Sequence, residues 1–221
     1  MRRRLLLLAL ALWGGEALAG ATWREDFRSK LHGWEVRTKP GVDPTHYRTD
    51  AAGADGTGVL IAEADDASAT FATQLDGVDL TRTPILRWRW RVLEYPRGAD
   101  GRDAARDDQP IAIYVSYGGV LRQRSIAYRW ETDTPVGTEG DATYAAGVVK
   151  VHWIVVRNSQ DGVGVFHVEQ RDVAADFRRV FGFVPKDPIV AVASNSQYTR
   201  TQAKAELDWI ELAPLAELRG R

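Results

Sequence analysis

The chain contains no cysteine. That excludes disulfides, thiolate metal centres, cysteine nucleophiles and a lipid anchor on an N-terminal cysteine. Stability has to come from core packing, which a mature chain of about 200 residues permits. An excess of one charge is also missing: 29 Lys and Arg face 30 Asp and Glu, for a formal net charge of −1. Nucleic-acid affinity rests on phosphate contacts and a basic surplus, so nucleic acid is excluded as a partner. The apolar run Leu5–Trp13 falls well short of the roughly 18–20 residues that a spanning helix needs. It follows Arg2, Arg3 and Arg4 and leads into the small-x-small exit Ala17-Leu18-Ala19. This pattern predicts a signal peptide over residues 1–19, cut after Ala19. The mature protein is then expected to be periplasmic or secreted, with no membrane span left.

Familiar chemical motifs are absent too. No His-Glu-x-x-His, EF-hand loop or Gly-x-Ser-x-Gly elbow occurs. Gly53–Gly58 is a turn without the strand-to-helix setting of a phosphate loop. His32, His46, His152 and His167 lack metal-ligand spacing, although His152 and His167 fall on strands expected to pair and face one another. Glu25, Asp26 and Asp208 lie on the first and last strands, but calcium takes six or more oxygens. No metal and no cofactor is assigned.

What the chain does have is alternation. In Leu86-Arg87-Trp88-Arg89-Trp90-Arg91-Val92 the apolar residues point one way and three arginines the other, the mark of a half-buried strand. Ile111–Tyr117 and Ile126–Trp130 repeat the pattern, and Gly147–Arg157 and Gly164–Gln170 are rich in β-branched and aromatic residues. The Asp161-Gly162 pair between the last two predicts a hairpin. Further strands are predicted at Trp23–Phe27, His46–Thr49, Val59–Ala64, Thr70–Leu75, Ile189–Ala193 and Ala203–Leu212. One segment is helical instead. Val173, Phe177, Val180 and Phe181 recur at helical spacing, Asp172 can cap the start, and Gly182 follows the end. No linker or repeat interrupts residues 20–221. The expectation is a single all-β domain, an antiparallel β-sandwich of jelly-roll type with one short helix.

Several motifs then resemble one family. They are Ala67–Val92, Asp107-Asp108, Tyr128-Arg129-Trp130, Arg171–Gly182 and Ser194–Thr199, in that order along nearly the whole mature chain. Together they resemble the DUF3047 proteins, a bacterial family of unknown function. The resemblance implies an exported β-sandwich and brings no established activity. The family pattern has Asp-x-Asp-Asn-Thr where this chain has Asn195-Ser196-Gln197-Tyr198-Thr199, and an arginine where this chain has Ala112. Any cation binding or acid–base work at those positions is reduced here, because amides hydrogen-bond a polyol but do not titrate.

These readings lead to a ligand site at Asp107, Asp108, Arg171, Asp172, Asp176, Asn195, Gln197 and Thr199, grouped by the resemblance and by loop placement. The expected protein is a monomeric, non-catalytic binder of a glycan or another envelope component. Eight tryptophans supply rings that could stack on sugars, although those in strands are expected in the core. Two alternatives belong to other classes. One is a glycan hydrolase with Asp108 and Asp172 as its acid and base, which needs both carboxyls in one cleft. The other is an envelope assembly protein using an exposed edge strand or the Arg87, Arg89, Arg91 and Arg129 face, whose plainer reading is a set of surface ion pairs.

Overall fold

The computed structural model of the chain describes residues 23–215 apart from 30, 52, 54–57, 120–121 and 145–146. Residues 1–19, expected to be a signal peptide, and part of the Gly53–Gly58 turn lie outside the described residues. In chain order the strands are β1 (Trp23–Glu25), β2 (Trp34–Thr38), β3 (His46–Asp50), β4 (Val59–Asp65), β5 (Ser68–Gln74), β6 (Ile85–Glu94) and β7 (Gln109–Tyr117). After them come β8 (Arg124–Trp130), β9 (Glu139–Tyr144), β10 (Val149–Arg157) and β11 (His167–Asp172). The helix α1 (Val173–Phe181) leads to β12 (Ile189–Asn195) and β13 (Gln202–Ala213).

They form a β-sandwich. One sheet runs β11-β6-β13-β4-β3, with β1 also on β13, and the other runs β2-β5-β12-β7-β8-β10-β9. The last two strands thus occupy the middle of the two sheets. Pairing is antiparallel except between β8 and β10, which run parallel because β10 inserts between β8 and the outer β9. β2 and β9 have no counterpart in the sequence reading.

The alternation of β6, β7 and β8 gives the core. Trp88, Trp90, Tyr128 and Trp130 are fully buried between the sheets. Trp88 meets Trp90 edge-on at 5.3 Å and stacks on Tyr128 at 5.4 Å. Each such ring stabilises the fold by about 2 kcal/mol through burial alone. The helix forms as its spacing predicts: Asp172 accepts from the Ala175 N–H, and Gly182 takes the left-handed conformation at the far end. Its Asp176 accepts the Tyr128 hydroxyl at 2.7 Å and pairs with Arg171, pinning α1 over one end of the core.

The expected hairpin at Asp161-Gly162 does not form. Asn158 caps a single 3-10 turn over Ser159–Asp161, and the chain crosses from one sheet to the other there. β10 and β11 are therefore not partners. His152 lies between Asp141 at 2.9 Å and Glu139 at 3.0 Å, whereas His167 meets the edge of Trp130. The arginine stripe divides as well. Arg87, Arg89 and Arg91 form a ladder with Glu211, Asp208 and Glu206 on the outer face of the six-stranded sheet. A bulge between Leu207 and Trp209 supplies the extra residue, Asp208. Arg129 belongs to the other sheet and is buried. Of the residues considered for calcium, Glu25 accepts from Phe27 N and Trp34 Nε1, Asp26 from Arg28 N, and Asp208 from Arg89 through Oδ2 while its Oδ1 is buried without a partner.

Candidate functional site: a recessed groove on the seven-stranded sheet

The outward residues of the seven-stranded sheet are mostly small. One registered row crosses it as Ala72, Ala191, Tyr114, Ala127, Trp153 and Gly140, and a neighbouring row as Thr70, Ala193, Ala112 and Arg129. Alanine next to tyrosine and arginine leaves the floor recessed. The result is a cavity of about 250 Å³ spanning β2, β5, β12, β7, β8 and β10. Tyr114 and Arg129 rise from its floor. Asp107, Gln109 and Asn195 close one end, and Arg37, Lys39 and Tyr198 form the rim.

Gln109 reaches the groove through a bulge. The register shifts between Ala193 and Asn195, so that Asn195 opposes Gln109 while Ala193 opposes Ala112. The extra residue turns Gln109 to the same face as Ala112 and Tyr114. Its Oε1 is buried without a hydrogen-bond partner, and so is Nε of Arg129. Both residues line the cavity. Ser194 Oγ, on a third lining residue, is likewise buried and unpaired, and each such atom costs about 1–3 kcal/mol.

Charge is organised beneath the floor. Arg129 pairs with Asp107 at 2.6 Å and Glu131 at 3.3 Å, and its guanidinium lies 5.0 Å from the Trp153 ring centre. Burial opposes the Arg129 charge, but Tyr114, Asp107 and Glu131 together hold it above the ordinary arginine range. Burial pushes the Glu131 carboxyl up to about 7, against the pull of Arg129 and of the Thr134 hydroxyl bonded to it at 3.0 Å. Burial also raises the Tyr114 phenol, so a neutral ring faces the groove at ordinary pH.

Asp108 is a structural anchor. Fully buried, it accepts from Asn195 Nδ2 at 2.8 Å, Tyr198 N at 3.3 Å, Thr199 N at 2.7 Å and Thr199 Oγ1 at 2.8 Å. These bonds set the 196–200 loop, and with it Tyr198, beside the groove. Of the residues grouped from sequence, Asp107 and Asn195 line the groove, Asp108 and Thr199 hold its rim loop, and Gln197 lines an adjoining cavity. Arg171, Asp172 and Asp176 do not line the groove; they belong to β11 and α1. Asp172 pairs with Ile85 at the start of β6, whereas the loop carrying Asp107 and Asp108 follows the end of that 10-residue strand. Neither Asp108 nor Asp172 lines the groove or the cavity beside it: Asp108 is buried among its donors and Asp172 caps α1, so the two do not form the acid–base pair of one cleft.

Sequence reading missed Gln109, Tyr114, Arg37, Lys39 and Tyr198. The available signal was the face opposite the core in β5, β7 and β12, which carries Ala, Thr and Ser where a solvated sheet face would carry charge. No tryptophan lines the groove among the described residues; its rings are Tyr114 and Tyr198.

No curated protein matches the sequence. Among solved structures, the chain is similar to the family 11 carbohydrate-binding module from Clostridium thermocellum in complex with a β-1,3-1,4-mixed-linked tetrasaccharide. The identity is 10%, the match covers 87% of this chain and 95% of that one, and the TM-score is 0.44. A second similar structure is the family 11 module of the cellulosomal cellulase Lic26A-Cel5E of Clostridium thermocellum, at 12% identity over 88% and 95% of the two chains, with a TM-score of 0.42. Residues 32–211 match the model of the DUF3047 proteins of unknown function, and the chain belongs to that family.

Proposed function

We propose that this protein is an exported, monomeric, non-catalytic binder of glycan, and that the recessed groove of the seven-stranded sheet receives the sugar. The observation that carries this reading is the recessed cavity itself, whose lining brings together the amides of Gln109 and Asn195, the hydroxyls of Thr70 and Ser116, the guanidinium of Arg129 and the Tyr114 ring. Amides accept and donate, and a guanidinium donates. A sugar hydroxyl does both, so such a lining suits the adjacent hydroxyls of one ring. Tyr114 supplies an aromatic surface for the apolar side of the ring. The cation at the floor is balanced by Asp107 and Glu131, which suits a polar ligand better than a strongly charged one. Export rests on the N-terminal pattern of residues 1–19.

The test is a glycan-array screen of the mature protein beside Gln109→Leu. Replacing the unpaired Gln109 acceptor with an apolar side chain relieves a buried polar cost, so the variant should unfold at a denaturant concentration no lower than the parent's. It should lose the glycans the parent retains. A blank array for the parent, or equal retention by the variant, would remove the reading.

A further inference from the structure

The groove does not end at its rim. A second, more open cavity of about 590 Å³ adjoins it, lined by Asp43, Asp66, Gln197 and Arg200, and Lys39 and Tyr198 line both cavities. Tyr198 is 43% exposed and makes no ring–ring contact among the described residues, while its backbone N–H is held by Asp108. An aromatic ring fixed at its base and bare on its face stands at the junction. Lys39 beside it makes no ion pair among the described residues. The far cavity also has a fixed shape. Asp66 (φ 46°) and Arg200 (φ 53°) hold left-handed backbone conformations that side chains other than glycine rarely adopt. Asp66 N–H donates to Thr201 O and Ser196 N–H to Ala67 O, tying the β4–β5 turn to the β12–β13 loop. Such strain persists only where surrounding contacts over-determine it.

We infer that the two cavities are successive subsites of one path and that the ligand is an oligosaccharide running across Tyr198, with one ring on the alanine floor, one on the Tyr198 face and one against Asp66, Gln197 and Arg200. This rests on the glycan reading and adds to it that the ligand is a chain. The charged and amide groups of the far cavity meet the hydroxyls of the outer ring. The exposed tyrosine supplies stacking area at little conformational cost.

The experiment is an array carrying mono- to hexasaccharide fragments of β-glucans, polyuronates and peptidoglycan glycan strands, followed by calorimetric titration with the retained series. Affinity should rise with length, by about tenfold between the disaccharide and the tetrasaccharide. Tyr198→Ala should remove most of the gain in affinity from the monosaccharide to the tetrasaccharide while leaving the monosaccharide unchanged, and Tyr198→Phe should restore the length dependence. Circular dichroism checks that both variants keep the parent fold. An affinity already at its limit with the mono- or disaccharide, or an equal loss at every length in Tyr198→Ala, would overturn the chain-binding inference and leave the glycan reading standing. An array with no retained fragment would end both.

Discussion

Asp107 and Arg129 form a 2.6 Å ion pair in which the arginine is almost wholly buried and the aspartate reaches the groove. The floor of the cavity is thus tied to its end wall. Removing the aspartate strands a buried cation with only Glu131 beside it. Asp107→Ala should destabilise the protein by about 3 kcal/mol. The check is a urea titration, in which the midpoint falls at an unchanged slope.

Glu131 gives the protein a pH signature. Its carboxyl is raised from the ordinary value of 4.5 to about 7 in the folded state, so between those two values the native protein binds more protons than the unfolded chain. Stability linked to this group is complete below about pH 4.5, falls as pH rises toward 7, and is level above, a change of about 3 kcal/mol. Glu131→Gln should abolish that slope. The readout is the difference in urea midpoint between parent and variant from pH 4.5 to 8, which cancels the other carboxylates.

Gly140 lies directly opposite Trp153 in the β9–β10 ladder, and a methyl group there would run into the indole ring. The ring is confined by Val151, Val155 and Ala127. Gly140→Ala should therefore cost about 1–3 kcal/mol through overpacking, seen as a lower thermal midpoint. An unchanged midpoint would show that the indole moves aside freely.

Asp172 caps α1 and does not line the groove. Asp172→Ala should cost about 1 kcal/mol of stability and leave glycan affinity as it was. A loss of affinity in a variant that stays folded would connect that helix to the ligand.

The fold was legible wherever one face of an element is dry and the other wet. β6 alternates Trp88 and Trp90 with three arginines, and α1 carries its cap, its spacing and its terminal glycine in plain view. β2 and β9 are edge strands, largely wet on both faces, so they offered no alternation. The Asp161-Gly162 pair misled because a turn's composition does not say which strand follows on which sheet. At the site, the Asp107–Asn195 half was found through family motifs. Arg171, Asp172 and Asp176 were joined to it because motif order carries no distance. The floor was overlooked because alanine reads as filler one strand at a time; only registered pairing lines up Ala72, Ala191 and Ala127 around Tyr114. The bulge that turns Gln109 outward leaves no mark in the sequence.

Because β12 and β13 fill the middle of their sheets, β4 through β7 lack a central neighbour until the final stretch of polypeptide exists. Those two strands follow all the others in chain order among the described residues. Partial chains would expose open strand edges rather than settle as a stable half-domain. Truncation before Ile189 should therefore abolish the cooperative unfolding transition as a whole.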